Sequence, residues 1–231
     1  MHGSKKTFGW VLFCMFSAMA VIAPKNSFAD DYLDTIKTDL HSRDWQARLS
    51  AVGKLDNRSD EKALNMLLEV AGTWTEYWPV KVKAIQLLGE ARYAKAVPLL
   101  LSIFNNPFLN WKCPSIKSYT ALALGNFKGN QEVVDTLIGG VGDDELLTRE
   151  ASILALGKIG DAKAVPYLVR LLRDQSTAIR LSVLQALEGI GDPRSIPDIQ
   201  RILENETDAV VKSEAAAALN NIHVQMRNKE T

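Results

Sequence analysis

Six basic side chains recur along the 231-residue sequence at nearly constant intervals, and each is followed seven residues later by a leucine. The intervals between successive cations are 33, 36, 32, 31 and 32 residues. A row of cations can bind an anionic ligand, or it can pair with carboxylates inside the fold. The cations of this basic ladder are Arg48, Lys81, Lys117, Arg149, Arg180 and Lys212.

Acidic residues close to the ladder favour the second alternative. A cation in the first turn of a helix opposes the positive end of the helix dipole, so its recurrence implies a compensating carboxylate. We predict that acids just upstream pair with four of the cations and that the pairs hold neighbouring units together. An anion-binding stripe is the alternative interpretation. The predicted partners are Asp44 for Arg48, Asp144 for Arg149, Asp174 for Arg180 and Asp208 for Lys212.

Residue types that could carry catalysis or bind a metal are sparse. Beyond residue 29 the sequence contains two histidines, His41 and His223, followed by Ser42 and Val224 rather than by acidic ligands. It has no Cys-His spacing, no Gly-rich phosphate loop and no serine elbow. We therefore predict no catalytic site, no metal site and no cofactor.

The elements that position the ladder follow from its period. Recurrence at about 32 residues predicts stacked helix pairs, because one short pair cannot bury its own apolar face. In the fourth unit, Arg149, Ser152, Ile153, Leu156 and Ile159 fall on spacings of three and four, which predicts one helical stripe.

Glycine, aspartate and proline mark the predicted helix ends. We predict that a glycine in a common register ends each first helix, that an Asp caps the turn, and that a proline opens each second helix. The predicted fold is an all-α solenoid of stacked antiparallel helix pairs. The markers are Gly89, Gly125, Gly157, Gly160 and Gly191, then Asp161 and Asp192, and finally Pro98, Pro166 and Pro197.

Two strings, GDAKAVPYLVRLL from residue 160 and GDPRSIPDIQRIL from residue 191, carry a family resemblance. They resemble the short HEAT-like repeats of phycobilin lyases, loosely from residue 44 and most strongly over 144–222. The resemblance implies a HEAT/armadillo-like superhelix over 44–231, with five helix pairs plus a closing helix, behind a helical cap at 30–43. Such repeats serve lyases, hydroxylases, DNA glycosylases and scaffolds alike, so the resemblance indicates the fold and not an activity.

The amino-terminal segment has the zones of a secretory signal. Lys5 and Lys6 precede an apolar run from residue 8 to residue 23, and Ala29 precedes an acidic pair. We predict a signal peptide over residues 1–29, cleavage after Ala29, and a periplasmic or secreted mature chain. That chain has 24 basic and 27 acidic residues, so we expect no nucleic-acid partner and no membrane insertion.

Two connectors between units are long and aromatic. Both join a second helix to the next first helix, so they lie at one edge of the solenoid. We predict that they form an aromatic patch that either covers the core or anchors a partner. The candidate residues are Trp74, Tyr77, Trp78, Phe108 and Trp111, with Cys113 beside them as a quiet or redox-active thiol.

A second surface comes from superposing the units. Two columns of second-helix positions are predicted to face the concave side. One includes Met66, Tyr167 and Asp198, and the neighbouring one includes Arg170 and Arg201. Mixed charge and apolar character suit a folded protein or peptide better than a polyanion. The sequence thus favours an exported, non-catalytic scaffold for a protein or peptide partner. The alternative is a lyase-type or chaperone-like module acting on a small molecule or a cofactor-carrying protein.

Overall fold

The computed structural model of the protein describes residues 27–108 and 114–229. Twelve α-helices occur within these residues, and short 3₁₀ turns precede several of the second helices. The helices are α1 Ser27–Leu40, α2 Trp45–Gly53, α3 Glu61–Gly72, α4 Trp78–Glu90, α5 Val97–Phe104, α6 Pro114–Leu124, α7 Gln131–Gly140, α8 Leu146–Ile159, α9 Val165–Leu168, α10 Thr177–Ile190, α11 Ile196–Asn205 and α12 Ala209–Lys229.

The helices stack in two layers. The first helices α2, α4, α6, α8, α10 and α12 pack side by side, each on the next. The second helices α3, α5, α7, α9 and α11 form the other layer, where α3, α5, α7 and α11 each pack against the first helix of the following unit, and α1 packs on α2 and α3. The predicted all-α solenoid of stacked helix pairs is confirmed.

The leucine that follows each ladder cation belongs to the core. The six leucines are all buried within one continuous hydrophobic cluster, which runs from the cap helix to the last helix. Burial of this recurring apolar stripe holds consecutive units together, because a single helix pair cannot bury its apolar face without a neighbouring pair. The leucines are Leu55, Leu88, Leu124, Leu156, Leu187 and Leu219.

Glycine has two roles in the first helices, and the sequence predicted one of them. Gly160 and Gly191 adopt left-handed backbone angles and end α8 and α10, as predicted. Gly89 and Gly157 lie inside α4 and α8, so their prediction as helix stops is wrong. Gly125 directly follows the last residue of α6, but it does not adopt the predicted left-handed angles. A Cβ atom at Gly157 would lie 2.5 Å from the Ala186 Cα, and at Gly89 and Gly125 it would lie 2.8 and 2.9 Å from the Cα of an alanine in the next first helix. These glycines let neighbouring first helices approach.

The second helices open as predicted, although one of them is irregular. Pro98, Pro166 and Pro197 lie in the first turn of α5, α9 and α11. Asp161 and Asp192 each accept a backbone N–H bond at the 3₁₀ turn that leads into the helix. In the fourth unit, α9 is four residues long and continues as a 3₁₀ segment over Val169–Arg173, where we expected a longer helix.

Candidate functional site

Four of the six ladder cations pair with acids downstream, in the connector that begins the next unit. Arg48 Nη2 lies 2.7 Å from the Glu76 carboxylate, and Arg180 Nε lies 3.0 Å from that of Glu206. Ion pairs also join Lys117 to Asp143 and Arg149 to Asp174. The upstream partners predicted from the sequence are therefore wrong for Arg48, Arg149 and Arg180. Each observed pair instead crosses from one unit to the next.

Each of these acids is held in place by the backbone it precedes. Asp143 accepts a 3.0 Å hydrogen bond from Glu145 N–H, and Asp174 accepts one of 2.9 Å from Ser176 N–H. Asp143 and Asp174 thus shape the turn before a first helix with one oxygen and bind the cation of the preceding unit with the other. Because the acid lies in the turn that opens the next unit, it follows its cation by 25 to 28 residues in the sequence.

Arg180 has the most extensive of these networks. Its Nη1 donates 2.9 Å to the Asp174 carbonyl oxygen, and its Nη2 lies 3.8 Å from the Asp208 carboxylate. Its side chain and that of Glu206 are largely buried. The Nε–Glu206 contact is short but poorly aligned, so Nε makes no hydrogen bond with the described residues. Removing this guanidinium would leave buried acceptors without a donor.

Two ladder residues differ from the rest. Lys81 is buried, and its Nζ donates to the backbone carbonyls of Ala71 at 2.7 Å and Thr73 at 3.0 Å. Burial lowers the pKa of Lys81. Lys212 is exposed on α12, beyond which no further unit is described. Within the described ranges, neither of them forms an ion pair with a carboxylate. The predicted pairing of Lys212 with Asp208 is therefore also wrong, and Asp208 lies beside Arg180 instead.

Exposed aromatic rings cluster at the edge where the second helices pass to the next first helices. The Trp45 and Tyr77 rings are 4.7 Å apart between centroids, and the Tyr77 and Trp78 rings are 6.3 Å apart. Trp74 and Phe108 are 62% and 70% exposed, far more than rings that cover a core. We call Trp45, Trp74, Tyr77, Trp78 and Phe108 the aromatic edge. Trp111 and Cys113 lie outside the described residues.

The connector that carries most of these rings is fixed at several points. Glu76 accepts a 2.7 Å hydrogen bond from Tyr77 N–H while it pairs with Arg48. Lys81 binds the Thr73 carbonyl directly before Trp74. Ladder residues therefore hold both sides of the aromatic connector, and its rings are presented in a fixed arrangement.

The predicted concave columns are exposed in the carboxyl-terminal units. Tyr167, Arg170 and Arg201 are exposed, and the Arg170 guanidinium carbon lies 5.8 Å from the centre of the Tyr167 ring. Arg201 donates 2.7 Å to Asp198 at the rim of a groove of about 450 Å³ between the fourth and fifth units. The exception is Met66, which is buried against the cap helix, so its predicted exposure is wrong.

The potential metal ligands of the described residues are scattered rather than grouped. His41 and His223 are exposed, and His41 Nδ1 lies 2.7 Å from the Lys37 carbonyl oxygen. Over residues 27–108 and 114–229, no three His, Cys, Asp or Glu side chains are grouped so as to hold a metal ion. None of the helices described there combines the length and apolar character that crossing a membrane requires.

A family model for HEAT repeats matches residues 107–176 and 147–220. This part of the chain is a HEAT-repeat array. The match begins in the third unit and reaches the closing helix, which is where the repeat strings resemble the family most clearly. No curated protein sequence matches the chain.

Solved structures of repeat proteins share the architecture of the HEAT-repeat array. A designed armadillo repeat protein in complex with the peptide (KR)4 superposes with a TM-score of 0.58 at 18% identity, over 82% of this chain and 99% of that one. The complex of CpcE and CpcF of phycocyanin lyase from Nostoc sp. PCC7120 gives 0.57 at 24% identity, over 69% of this chain and 64% of that one. These similarities show the fold.

Trp45 is a member of the aromatic edge that our sequence analysis missed. It precedes Arg48 by three residues, as Trp78 precedes Lys81, and the repeat register alone could have revealed it. The sequence did not reveal Glu76, Asp143 and Glu206 as partners, because an acid close upstream of each cation was the expected one.

Proposed function

We propose that the protein is an exported, non-catalytic HEAT-repeat scaffold that binds a protein or peptide partner in the periplasm through the aromatic edge. The observation that carries the proposal is the cluster of exposed rings on a connector fixed by the Arg48–Glu76 ion pair and by the Lys81 hydrogen bonds. Trp and Tyr are the side chains most often found as interface anchors, since they bury a large area at low entropic cost.

The fixed connector supports binding in a second way. Ordering a mobile loop during association costs free energy for each side chain that is immobilised. Glu76 and Lys81 already hold the connector at Tyr77 N–H and at the Thr73 carbonyl, so little of this cost remains. Scattered exposed apolar residues are common on any surface, but adjacent rings at contact distance form a patch.

The test uses peptides selected from a phage-displayed dodecapeptide library against the chain that begins at Asp30. We expect Trp74→Ala or Trp78→Ala to weaken binding of the selected peptides by about 2 kcal/mol, the cost of losing a hot-spot side chain. The same variants should lose less stability than the roughly 3–5 kcal/mol of a core Trp truncation.

Tyr167→Ala is the matched control, because it removes an exposed ring from the concave surface and leaves the aromatic edge intact. Its peptide affinity should equal that of the unmodified chain. Failure to select any peptide, or large destabilisation with unchanged affinity, would show that the rings only pack.

A further inference from the structure

Asn106 occupies the position of a ladder acid. It follows Lys81 by 25 residues, the same separation that joins Arg149 to Asp174. Its Oδ1 accepts a 3.0 Å hydrogen bond from Phe108 N–H, two residues on, as Asp143 and Asp174 do in their own connectors. Asn106 thus keeps the turn and lacks the charge.

The sequence offers Lys81 no substitute from the same connector. Residues 105–113 contain no Asp or Glu, whereas the connectors after the first, third, fourth and fifth units each supply an acid that pairs with a ladder cation. Lys81 bonds backward, to two carbonyls of the preceding connector. Its ammonium carries three donors, and the described residues accept two of them.

Lys81, which hydrogen-bonds to neutral carbonyls and feels Glu76 only at a distance, adjoins the aromatic edge. The Thr73 carbonyl that Lys81 binds directly precedes Trp74, and Phe108 follows Asn106 by two residues. A buried cation with no carboxylate at hydrogen-bond distance is costly, and a carboxylate placed there relieves that cost. The ladder therefore leaves one place for a carboxylate from outside the chain, next to the rings that would bind its apolar neighbours.

We propose that the partner is an acidic peptide segment, in which an Asp or Glu pairs with Lys81 and adjacent apolar side chains contact the aromatic edge. The inference rests on the proposed function and names the chemistry of its partner. The ladder acids reach their cations from the connector side, as Glu76 and Asp143 do. The partner carboxylate enters from that same side, beside the half-buried Asn106.

The experiment measures peptides from the dodecapeptide selection against three proteins. On the unmodified chain, replacing the peptide's Asp or Glu by Asn or Gln should lower affinity by about tenfold or more, as for loss of a charge-assisted hydrogen bond. Asn106→Asp supplies an internal carboxylate to Lys81, so it should weaken binding of the acidic peptides by a similar factor. Asn105→Asp adds the same charge at an exposed neighbour and should leave affinity nearly unchanged.

Lys81→Met gives an independent readout if it folds, because the acidic and amide forms of each peptide should bind it equally. Peptides that require Trp74 but no acidic residue would overturn this inference and leave the proposed function standing. Equal weakening by Asn105→Asp and Asn106→Asp would also overturn it, since the effect would then be general charge repulsion. If no peptide binds the unmodified chain, the proposed function itself fails.

Discussion

The ladder cations join side chains and carbonyl groups that lie far apart in the sequence. Arg180 contacts Glu206 in the following connector and the Asp174 carbonyl in its own, so one guanidinium bridges two units. Arginine has five donors in a planar fork and serves both sides at once. Lysine has a single nitrogen, and the two lysines in buried ladder positions each serve one side: Lys81 faces backward and Lys117 forward.

We predict that Arg180→Ala lowers the free energy of unfolding by about 1–3 kcal/mol, because the Asp174 carbonyl loses its donor and the Glu206 carboxylate loses its cation. Urea unfolding measures the change. Arg201→Ala is the control: its pair with Asp198 is more exposed and should contribute about 0–1 kcal/mol. Binding of the selected peptides should be unaffected. Unchanged stability combined with lost binding would instead make the ladder a ligand site.

The ladder acids also predict how stability depends on pH. Burial of Asp174 acts to raise the pKa of its carboxyl, but the Ser176 N–H and the Arg149 guanidinium outweigh it and lower the pKa. The Asp208 N–H has the same net effect on the pKa of Glu206. A carboxyl with a lower pKa in the folded state binds fewer protons there than in the unfolded chain.

We therefore predict that this stabilisation is full above the unfolded carboxyl pKa of about 4 and is lost as the pH falls through the lower folded values. Unfolding free energies measured between about pH 6 and pH 3 test it. Asp174→Asn should give a shallower decline than the unmodified chain. Parallel declines would show that the Asp174 carboxyl is not responsible.

At the scale of the helices, close approach between first helices depends on the glycine register. The Gly157 position faces Ala186 of α10 with no room for a methyl group, and Gly89 and Gly125 face Ala123 and Ala155 in the same way. The register was visible in the sequence, but the reason for it was not. A glycine near a helix end is typical of a left-handed cap, and only the packing of the next helix distinguishes the two roles.

We predict that Gly157→Ala destabilises the protein by about 1–3 kcal/mol, since the added carbon overpacks a rigid contact. Gly53→Ala is the matched control in α2, where a Cβ would meet nothing within 4 Å. There the higher helix propensity of alanine should raise stability by up to about 1 kcal/mol. Thermal unfolding of both variants distinguishes the two effects. Equal shifts in both would contradict the close-packing explanation.

The sequence predicted elements better than it predicted contacts, for a physical reason. Each helix can be predicted from the spacing of its own buried residues, such as Leu156, because that spacing lies within one helix. The period of about 32 residues then repeats the same local pattern. The ion pairs join residues 25 to 28 positions apart. Acids closer in sequence, such as Asp144, are equally plausible partners until the fold is known. The aromatic edge was largely predictable because its connectors interrupt the period. Trp45 was missed because it lies inside the period.

At the scale of the whole molecule, the proposed export would determine where the mature chain begins. Cleavage after Ala29 would fall within the first turn of α1, which starts at Ser27. The shortened helix would then begin with Asp30 and Asp31, two acids at the end of a helix where negative charge is favourable.

We predict that the intact mass of the protein recovered from the periplasm corresponds to residues 30–231. Ala29→Asp, which places a charge where the signal peptidase requires a small residue, should retain the signal segment. Amino-terminal sequencing identifies the cut directly. Recovery of the unprocessed chain from the cytosol would refute export.

The crossing ion pairs also give the array a direction. The cation of one unit meets the acid that opens the next, so the boundary from Arg149 to Asp174 resembles that from Lys117 to Asp143. A segment running from Asp144 to Asp174 carries both the cation and the acid of one such boundary. Duplicated in frame, it would present a matching cation and acid at both junctions. The fold can therefore lengthen by duplication of single units without new contacts having to evolve.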